Sequence, residues 1–586
     1  MFRNFKRERP IACLVFIFLV VVLISPSVYL LFGVDQSAAN FGIRGSELIT
    51  PVILLNILFV LTVVAVCRRV WLAVLVLMPL FLWLPAEIFY LSKYGVPTTA
   101  QSFGVISETN LSEALSWLGT SGIWACAACM GWCLLMIVFA VFLYKSDVVW
   151  SHWSAKFFAS LFPAILLAGW IVQQSATERG ENGSNRGGAV WGGVLDESRS
   201  DWGEILARSY PLGMFVRIYD YRFQVRLLSL IEKRFKIQKF DAVQNPRAEK
   251  RQIFVFVVGE SLRPDHLQLN GYARATSPRL LARDVISLKN FVSATPATRT
   301  SVPTYFSQQQ IGSTLPFQGQ SNMLDGFREA GFRTYWLSTQ EPFGRFVSPI
   351  SVIARRADEV KFLNYGGYLA RGEYDGAMLM PLRGILEKKE KRAFIVLHTL
   401  GAHADYRGRY PESEALFRPV LPASVLSDPW DKDQRVQQIN AYDNAVLQVD
   451  RFVDQIVKMV EQEGGEGWVF YVSDHGETLF DGACKQSGHG FAASTNYRSA
   501  AFFWASSGYR KSHPSKLNYL SNNSLKPTDY RVIMPTLLGL ADIDSNRLQK
   551  GSGLASSDYS LGSRKVVTEM GVVDFDREMK VLDCAR

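Results

Sequence analysis

Three short apolar runs in the second half of the chain end in residues that bind cations or move protons. Ile253 to Val258 is apolar, β-branched and aromatic, too short for a helix of usual length, and stops at Gly259. Glu260, Ser261, Arg263, Asp265 and His266 follow it. Phe394 to Leu397 runs into His398 and His403, and Trp468 to Val472 runs into Ser473, Asp474, His475, Gly476 and Glu477. Such runs suit strands buried on both faces of a parallel sheet, and in such sheets ligands collect beyond the carboxyl ends. One carboxylate at one strand end reads equally as an acidic cap on the next helix. Three strand ends, each with a carboxylate or an imidazole, describe a metal site better than three coincident caps.

A fourth stretch, Ala294 to Ser307 (ATPATRTSVPTYFS), holds four threonines and two serines. A hydroxyl placed against a metal there can be deprotonated and act as a nucleophile. The same composition describes an ordinary Ser/Thr-rich turn, and spacing does not choose among Thr295, Thr298, Thr300 and Ser301. Of the chain's 7 histidines, His398, His403, His475 and His489 fall in this half near Asp and Gly, a concentration that points to use rather than filling.

The elements that must position these residues form two regions. At 586 residues the chain exceeds one ordinary core. Its 48% hydrophobic content and mean hydropathy of +0.07 are concentrated before residue 175. Apolar spans are expected at Ile11 to Leu31, Leu48 to Cys67, Trp71 to Leu91, Gly122 to Tyr144 and Ala155 to Val172. Arg3, Lys6, Arg7 and Arg9 precede the first. Arg68 and Arg69, then Lys145 and Lys156, lie in loops that the positive-inside rule keeps cytoplasmic. Five spans so oriented leave everything after Val172 outside the cytoplasm.

A Gly- and charge-rich linker (176–203) and an aromatic, Arg-rich segment from Tyr210 to Phe235, read as an interfacial helix, bridge to the soluble half. The expected domains are residues 1–174, 175–250 and 251–586, the last an α/β/α sandwich with a mostly parallel sheet. The net charge of +10, without a basic low-complexity run, is membrane-related and excludes a nucleic-acid binder. Five of the 7 cysteines lie in apolar segments, and Cys484 and Cys584 allow one disulfide outside them.

In order along the chain, VVGESLRPDH, LNGYARATSP, TRTSVPTYFS, HTLGAH, NAYDNAVLQVDRFV, YVSDHGE, GHG and YRSAAFFW resemble the phosphoethanolamine transferases. These are membrane enzymes of the alkaline phosphatase and sulfatase superfamily, including those that modify lipid A and confer polymyxin resistance. The resemblance implies that Thr298 is the nucleophile, on a zinc ion held with Glu260, Asp474 and His475. His403 and His489 would bind the donor phosphate or a second zinc, with His398 in support. Thr109 and Glu113, four apart and so on one helix face, match the periplasmic loop that meets ethanolamine; spacing alone reads them as a solvated loop face. The implied reaction moves phosphoethanolamine from phosphatidylethanolamine to a lipopolysaccharide, a core sugar or another periplasmic glycan. It is carried out by an expected monomer in the bacterial inner membrane, with its catalytic domain in the periplasm.

The chain departs from the pattern in three places. Val105 stands where relatives often carry Asn. Ala294 and Thr304 occupy positions where lipid A-modifying relatives carry paired cysteines. Ala294 also replaces the cysteine that sulfatases convert to formylglycine, which disfavours sulfate ester hydrolysis. A transferase of another phospholipid head group, such as glycerol phosphate, would use the same metal and threonine. A non-catalytic membrane sensor with a decayed hydrolase domain is disfavoured by the intact Glu260, Thr298, Asp474 and His475.

The topology is directly testable. A phosphatase reporter fused after residue 180 is expected to be active in the periplasm, and one fused near Ser151 inactive. The reverse pattern would exclude an extracytoplasmic catalytic site.

Overall fold

The computed structural model describes residues 9–32, 45–94, 111–150, 152–165, 209–234, 239–245, 249–307, 322–340, 349–363, 374–422, 427–548, 551–560, 562–568 and 571–579, with a few single positions or pairs between them. The chain divides into two compact units: Met1–Ile106 with Ile123–Gln224, and Ser107–Gly122 with Val225–Arg586.

The first unit is helical. Helices α1 (Arg9–Phe32), α2 (Gly45–Cys67), α3 (Val70–Tyr94), α4 (Leu111–Ser146), α5 (Ser154–Ile165) and α6 (Leu212–Arg234) follow in order. Leu19, Leu23, Val60, Val64, Val74, Leu77, Phe81, Met136 and Leu143 form its core, while Leu14, Val21, Leu54, Val76, Leu134 and Val138 are exposed. Apolar residues inside and out are the pattern of helices solvated by lipid. Among the described residues, three helices are long and apolar enough to cross a membrane: Pro10–Tyr29, Val70–Leu91 and Ala127–Ser146. At the other two expected spans, the described apolar helices are shorter, Pro51–Cys67 and Ser154–Ile165, and the end of the fifth span lies outside the described residues.

Within this unit one ion pair is fully enclosed. Arg217 Nη1 on α6 donates to Glu87 Oε1 on α3 at 2.7 Å and to the Thr98 carbonyl at 2.7 Å, and Thr98 Oγ1 donates to Glu87 Oε2 at 2.6 Å. The segment read as a surface-lying helix therefore buries Arg217 and Met214 while Phe215, Tyr219 and Phe223 stay exposed.

The second unit is built on a seven-stranded mixed sheet. Its strands are β1 (Gln252–Gly259), β2 (Ile286–Ser287), β3 (Arg333–Ser338), β4 (Glu359–Phe362), β5 (Arg392–His398), β6 (Glu466–Ser473) and β7 (Ala501–Ala505), in spatial order β2-β7-β6-β1-β5-β3-β4. β6, β1, β5, β3 and β4 run parallel, and β7 is antiparallel to both β6 and β2.

Alternation along β1 explains the continuous apolar run. Phe254, Phe256 and Val258 enter one core with Trp336, Phe394, Trp468 and Phe470. Ile253, Val255 and Val257 enter the other with Leu337, Ile395, Val469 and Tyr471. Phe254 stacks on Trp468 with centroids 4.6 Å apart. Helices α7 (Thr298–Phe306), α8 (Met323–Glu329) and α11 (Ile533–Leu540) contribute Val302, Phe306, Phe327, Leu537 and Leu538 to the first core. Helices α9 (Leu379–Glu387) and α10 (Arg435–Gln462) contribute Leu382, Tyr442, Val446, Val453 and Ile456 to the second. The sheet is thus covered on both faces.

Two of the sequence motifs grip each other here. Asp443, on α10, is fully buried and accepts from Tyr272 Oη at 2.9 Å and Arg274 Nη1 at 2.7 Å, with His266 Nδ1 at 2.7 Å. Seven residues on, Asp450 accepts from the backbone amide of Leu280 at 2.8 Å, and Asp454 meets Arg283 Nη2 at 2.7 Å. The LNGYARATSP segment is held to α10 by this carboxylate stripe, which fixes the chain leaving Glu260. Asp443→Ala strands the buried His266 and the half-buried Tyr272 and Arg274, and is expected to lower unfolding stability by about 2 kcal/mol, read from denaturation midpoints. A loss below about 1 kcal/mol would mean the cluster is solvent-screened.

Candidate metal and nucleophile site

Strand adjacency brings the site together. β1 lies between β5 and β6, with Val258 opposite both His398 and Val472 and Gly259 opposite Ser473. The residues following these positions therefore emerge at one edge. Glu260 follows the last residue of β1, and Ser261 turns sharply at φ +56°, a left-handed conformation costing a non-glycine residue about 1–2 kcal/mol. That turn aims the Ser261 amide at Asp474 Oδ1, 3.1 Å away, and its hydroxyl at Glu260 Oε1, 2.8 Å away. Gly476 follows His475 where a Cβ would lie 2.1 Å from the Thr495 carbonyl oxygen, so the DHG sequence admits no side chain there.

Thr298 opens α7, after Ala297 in extended backbone. Its Oγ1 lies 3.1 Å from Glu260 Oε2 and 3.2 Å from His475 Nε2. His475 Nε2 is 3.3 Å from Glu260 Oε1 and 3.4 Å from Asp474 Oδ2. Glu260, Asp474 and His475 offer ligand atoms that all lie within 4.8 Å of one another. Thr295 and Thr300, the other threonines of the segment's start, bond to each other at 2.7 Å, and Ser301 bonds the Asp474 carbonyl.

The donor set fits a zinc ion. Asp474 Oδ2 is fully buried and has no hydrogen-bond partner among the described residues. His475 Nδ1 lies 2.7 Å from the Gly476 carbonyl, so Nδ1 carries a proton and Nε2 is the nitrogen that faces the carboxylates and would ligate a cation. One nitrogen and three oxygens converge, a composition suited to tetrahedral zinc.

The electrostatics agree. Burial pushes Asp474 up, and the neighbouring Glu260 carboxylate adds to it, to about 7. Burial opposes charging His475, but Asp474 and Glu260 outweigh it and push the imidazole up to about 10. Burial likewise opposes an ionised Glu260, yet His475 holds it well below the usual carboxylate range. Two carboxylates and one imidazole compete for positive charge in a dry site, a demand that a divalent cation among them satisfies.

His403 and His489 stand beside this group. Their rings are 5.3 Å apart, and His489 is 4.2 Å from His475, centroid to centroid. Glu260, His403 and His489 form a second set of ligand atoms within 4.8 Å, and His475, Glu477 and His489 a third. His489 Nδ1 is 2.8 Å from Glu477 Oε2, whose other oxygen accepts from Tyr406 Oη at 2.6 Å. Burial pushes His403 down to about 4, so it is a neutral ligand or donor. The loop that carries it crosses the backbone of Glu260. Gly401, at φ +46°, has no room for a Cβ, which would lie 2.7 Å from the Glu260 carbonyl oxygen.

The remaining expected residues separate. His398 is buried at the end of β5, 3.4 Å from Ser338 Oγ, with burial pushing it down to about 4. No cluster of ligand atoms among the described residues includes it. Thr109 lies outside the described residues, as does Val105, and Glu113 falls in α4 with only its backbone described.

Two contributors escape sequence reasoning. Gln340 Nε2 donates to Glu260 Oε2 at 3.1 Å and to the Thr399 carbonyl at 3.0 Å. Half-buried Asp375 accepts from the amides of Leu400 and Gly401 at 2.9 and 3.0 Å, fixing the loop before His403. The signal for Gln340 was a fourth apolar run, Thr334 to Leu337, ending in polar residues two positions earlier. Nothing in the local sequence marks Asp375.

The profile of the sulfatase family matches residues 252–543, from β1 to just past α11. The chain is similar to phosphoethanolamine transferase EptC of Escherichia coli (strain K12), 24% identical over 316 residues, covering 52% of this chain and 54% of that protein. It is similar to phosphatidylethanolamine transferase Mcr-2 of Escherichia coli, 28% identical over 408 residues, covering 61% of this chain and 72% of that one. The integral membrane lipooligosaccharide phosphoethanolamine transferase A (EptA) of Neisseria meningitidis superimposes with a TM-score of 0.63 at 22% identity, covering 93% of this chain and 96% of that one. The periplasmic domain of Escherichia coli EptC, solved in complex with Zn, superimposes with a TM-score of 0.52 at 22% identity, covering 57% and 96%. The sequence match spans about half the length of EptC, and the structural likenesses establish the fold. With the sulfatase profile, the ordered motifs and these relatives in agreement, the chain belongs to the phosphoethanolamine transferase family, within the alkaline phosphatase and sulfatase superfamily.

Proposed function

We propose that this chain transfers phosphoethanolamine from phosphatidylethanolamine to a cell-envelope acceptor through a covalent intermediate on Thr298. The observation that carries this reading is the convergence of Thr298 Oγ1, at 3.1 and 3.2 Å, on Glu260 and His475 beside the unpartnered Asp474 Oδ2. A hydroxyl so placed is a nucleophile position rather than a turn residue. A relative named phosphatidylethanolamine transferase supports the donor.

A zinc ion held by Glu260, Asp474 and His475 supplies the positive charge that makes the Thr298 hydroxyl acidic near neutral pH. Thr298 Oγ1 attacks the donor phosphorus in line. Its proton leaves toward Glu260 Oε2 and ends on the diacylglycerol oxygen as that P–O bond breaks. The acceptor, a hydroxyl or phosphate of lipopolysaccharide or another periplasmic glycan, then attacks phosphorus. The Oγ1–P bond breaks and the acceptor's proton restores the threonine. His403 and His489 hold the donor phosphate or a second cation, Glu477 orients His489, and Thr109 with Glu113 meets the ethanolamine. Residues 1–174 anchor the enzyme in the inner membrane, 175–250 bridge, and 251–586 act in the periplasm as a monomer. The donor's acyl chains explain the anchor, because withdrawing them from the bilayer costs about 0.8 kcal/mol per CH₂.

Given phosphatidylethanolamine and no acceptor, the protein should accumulate one phosphoethanolamine mass on Thr298, located by peptide mapping. Thr298→Ala should lose adduct and transfer while folding normally. An adduct on Thr295, Thr300 or Ser301 would move the nucleophile, and a glycerol-phosphate mass would change the donor.

Removing one carboxylate tests the metal set separately. Glu260→Ala is expected to lose bound zinc and turnover together, the affinity falling by on the order of 100-fold or more. Full zinc content with normal turnover in this variant would exclude Glu260 as a ligand.

A further inference from the structure

We propose that Tyr305 and Ser301 are positioning residues, a pair of hydroxyls that clamp the nucleophile's helix to the main chain carrying Asp474 and His475. The inference deepens the reading of Thr298 as nucleophile and rests on it only for its kinetic arm.

Thr298, Ser301 and Tyr305 are spaced i, i+3 and i+7 on α7 and so form one stripe of the helix. The next stripe, Val302 and Phe306, is buried in the core beneath. Ser301 Oγ donates to the Asp474 carbonyl at 2.5 Å. Tyr305 Oη lies 2.8 Å from the Ser473 carbonyl oxygen and 3.0 Å from that of Asp474. Both side chains are fully buried. One stripe therefore presents the reacting hydroxyl at its first position and two main-chain anchors below it. The anchored carbonyls belong to the residue that ends β6 and to the first ligand after it.

These bonds are costly to leave unmade. A buried carbonyl without a donor loses about 1–3 kcal/mol, so the two segments do not slide past each other while the hydroxyls are present. The geometry they protect is narrow: a drift of α7 by an ångström parts Thr298 Oγ1 from His475 Nε2. Ala294 precedes this helix and Thr304 lies within it, and neither carries sulfur. Thr304 Oγ1 turns back to the Ser301 carbonyl at 2.6 Å, and the Ala294 carbonyl accepts from the Val567 amide at 2.9 Å. Hydroxyl and main-chain bonds thus do the holding at positions where lipid A-modifying relatives carry paired cysteines.

The test uses the full-length chain in lipid nanodiscs. Tyr305→Phe removes one oxygen and keeps the ring against Phe291, 6.2 Å away centroid to centroid. Ser301→Ala removes the other hydroxyl, and the double variant removes both. Zinc affinity is measured by chelator competition, and exchange of the α7 amides by mass spectrometry on zinc-free protein. kcat and KM are measured for phosphatidylethanolamine. Each single variant should weaken zinc by on the order of 10-fold and speed α7 exchange. Each should lower kcat by on the order of 10-fold or more with KM unchanged. Because either hydroxyl still serves the Asp474 carbonyl when the other is removed, only the double variant strands it and should lose more than the product of the two. Wild-type zinc affinity, exchange and kcat in both single variants, with only a lower melting temperature, would overturn the proposal and leave the pair as ordinary fold residues. If the wild-type chain transfers no phosphoethanolamine, the reading of the function fails, while zinc affinity and exchange still decide the clamp.

Discussion

Everything at the functional edge of this protein answers to two carboxylates, Glu260 and Asp474, buried at the ends of adjacent parallel strands. Like charges in a dry site repel strongly, and burial penalises each of them separately. The fold accepts that arrangement because other groups oppose it: a strained Ser261 that points its amide at Asp474, the His475 imidazole between the two, and Gln340 donating to Glu260. The register is as strict as the charges. A one-residue slip of β6 against β1 would send Asp474 to the opposite face, and the aromatic pairing of Phe254 with Trp468 opposes such a slip.

The two faces of the sheet divide the work. On the α10 face, Asp443, Asp450 and Asp454 form a stripe that grips residues 266–283. These carboxylates are neutralised by arginine, tyrosine and backbone amides, so they stabilise and do not react. On the α7 face the polar groups are left short of partners: Asp474 Oδ2 has none among the described residues. The same residue type thus serves opposite ends, and the number of donors facing it decides which.

Much of this was legible in the sequence because the signals were local. Short continuous apolar runs identified β1, β5 and β6, and polar residues after Gly259, Leu397 and Val472 identified their functional ends. What stayed hidden depends on contacts between residues far apart in the chain. Ser301 and Tyr305 meet Asp474 more than 160 positions away, and no spacing rule links them. Composition of the hydroxyl-rich segment left four candidates open and the resemblance singled out Thr298, whose hydroxyl faces Glu260 while Thr295 pairs with Thr300. Arg217 misled for another reason: an Arg-rich amphipathic segment reads as interfacial, and only the enclosed Glu87 on α3 explains why one arginine turns inward. Five apolar stretches were visible, and among the described residues three of them are helices long and apolar enough to cross a membrane.

The position of Thr298 at the start of a helix, rather than in a loop, has a chemical reason. The first amides of a helix have no partner within it, and they carry the positive end of its dipole. In the proposed mechanism a phosphoryl group attached to Thr298 would sit at that end of α7, a nine-residue helix long enough to present it. Phosphothreonine is doubly charged near neutral pH, whereas a phosphoethanolamine diester on Thr298 keeps one negative charge on phosphorus and a compensating ammonium. In the proposed mechanism the helix terminus would therefore stabilise the charge that grows on phosphorus during both displacements, without trapping the intermediate as a monoester would be trapped. A loop threonine at the same distance from His475 would lack those amides, and its position would depend on contacts weaker than a packed helix.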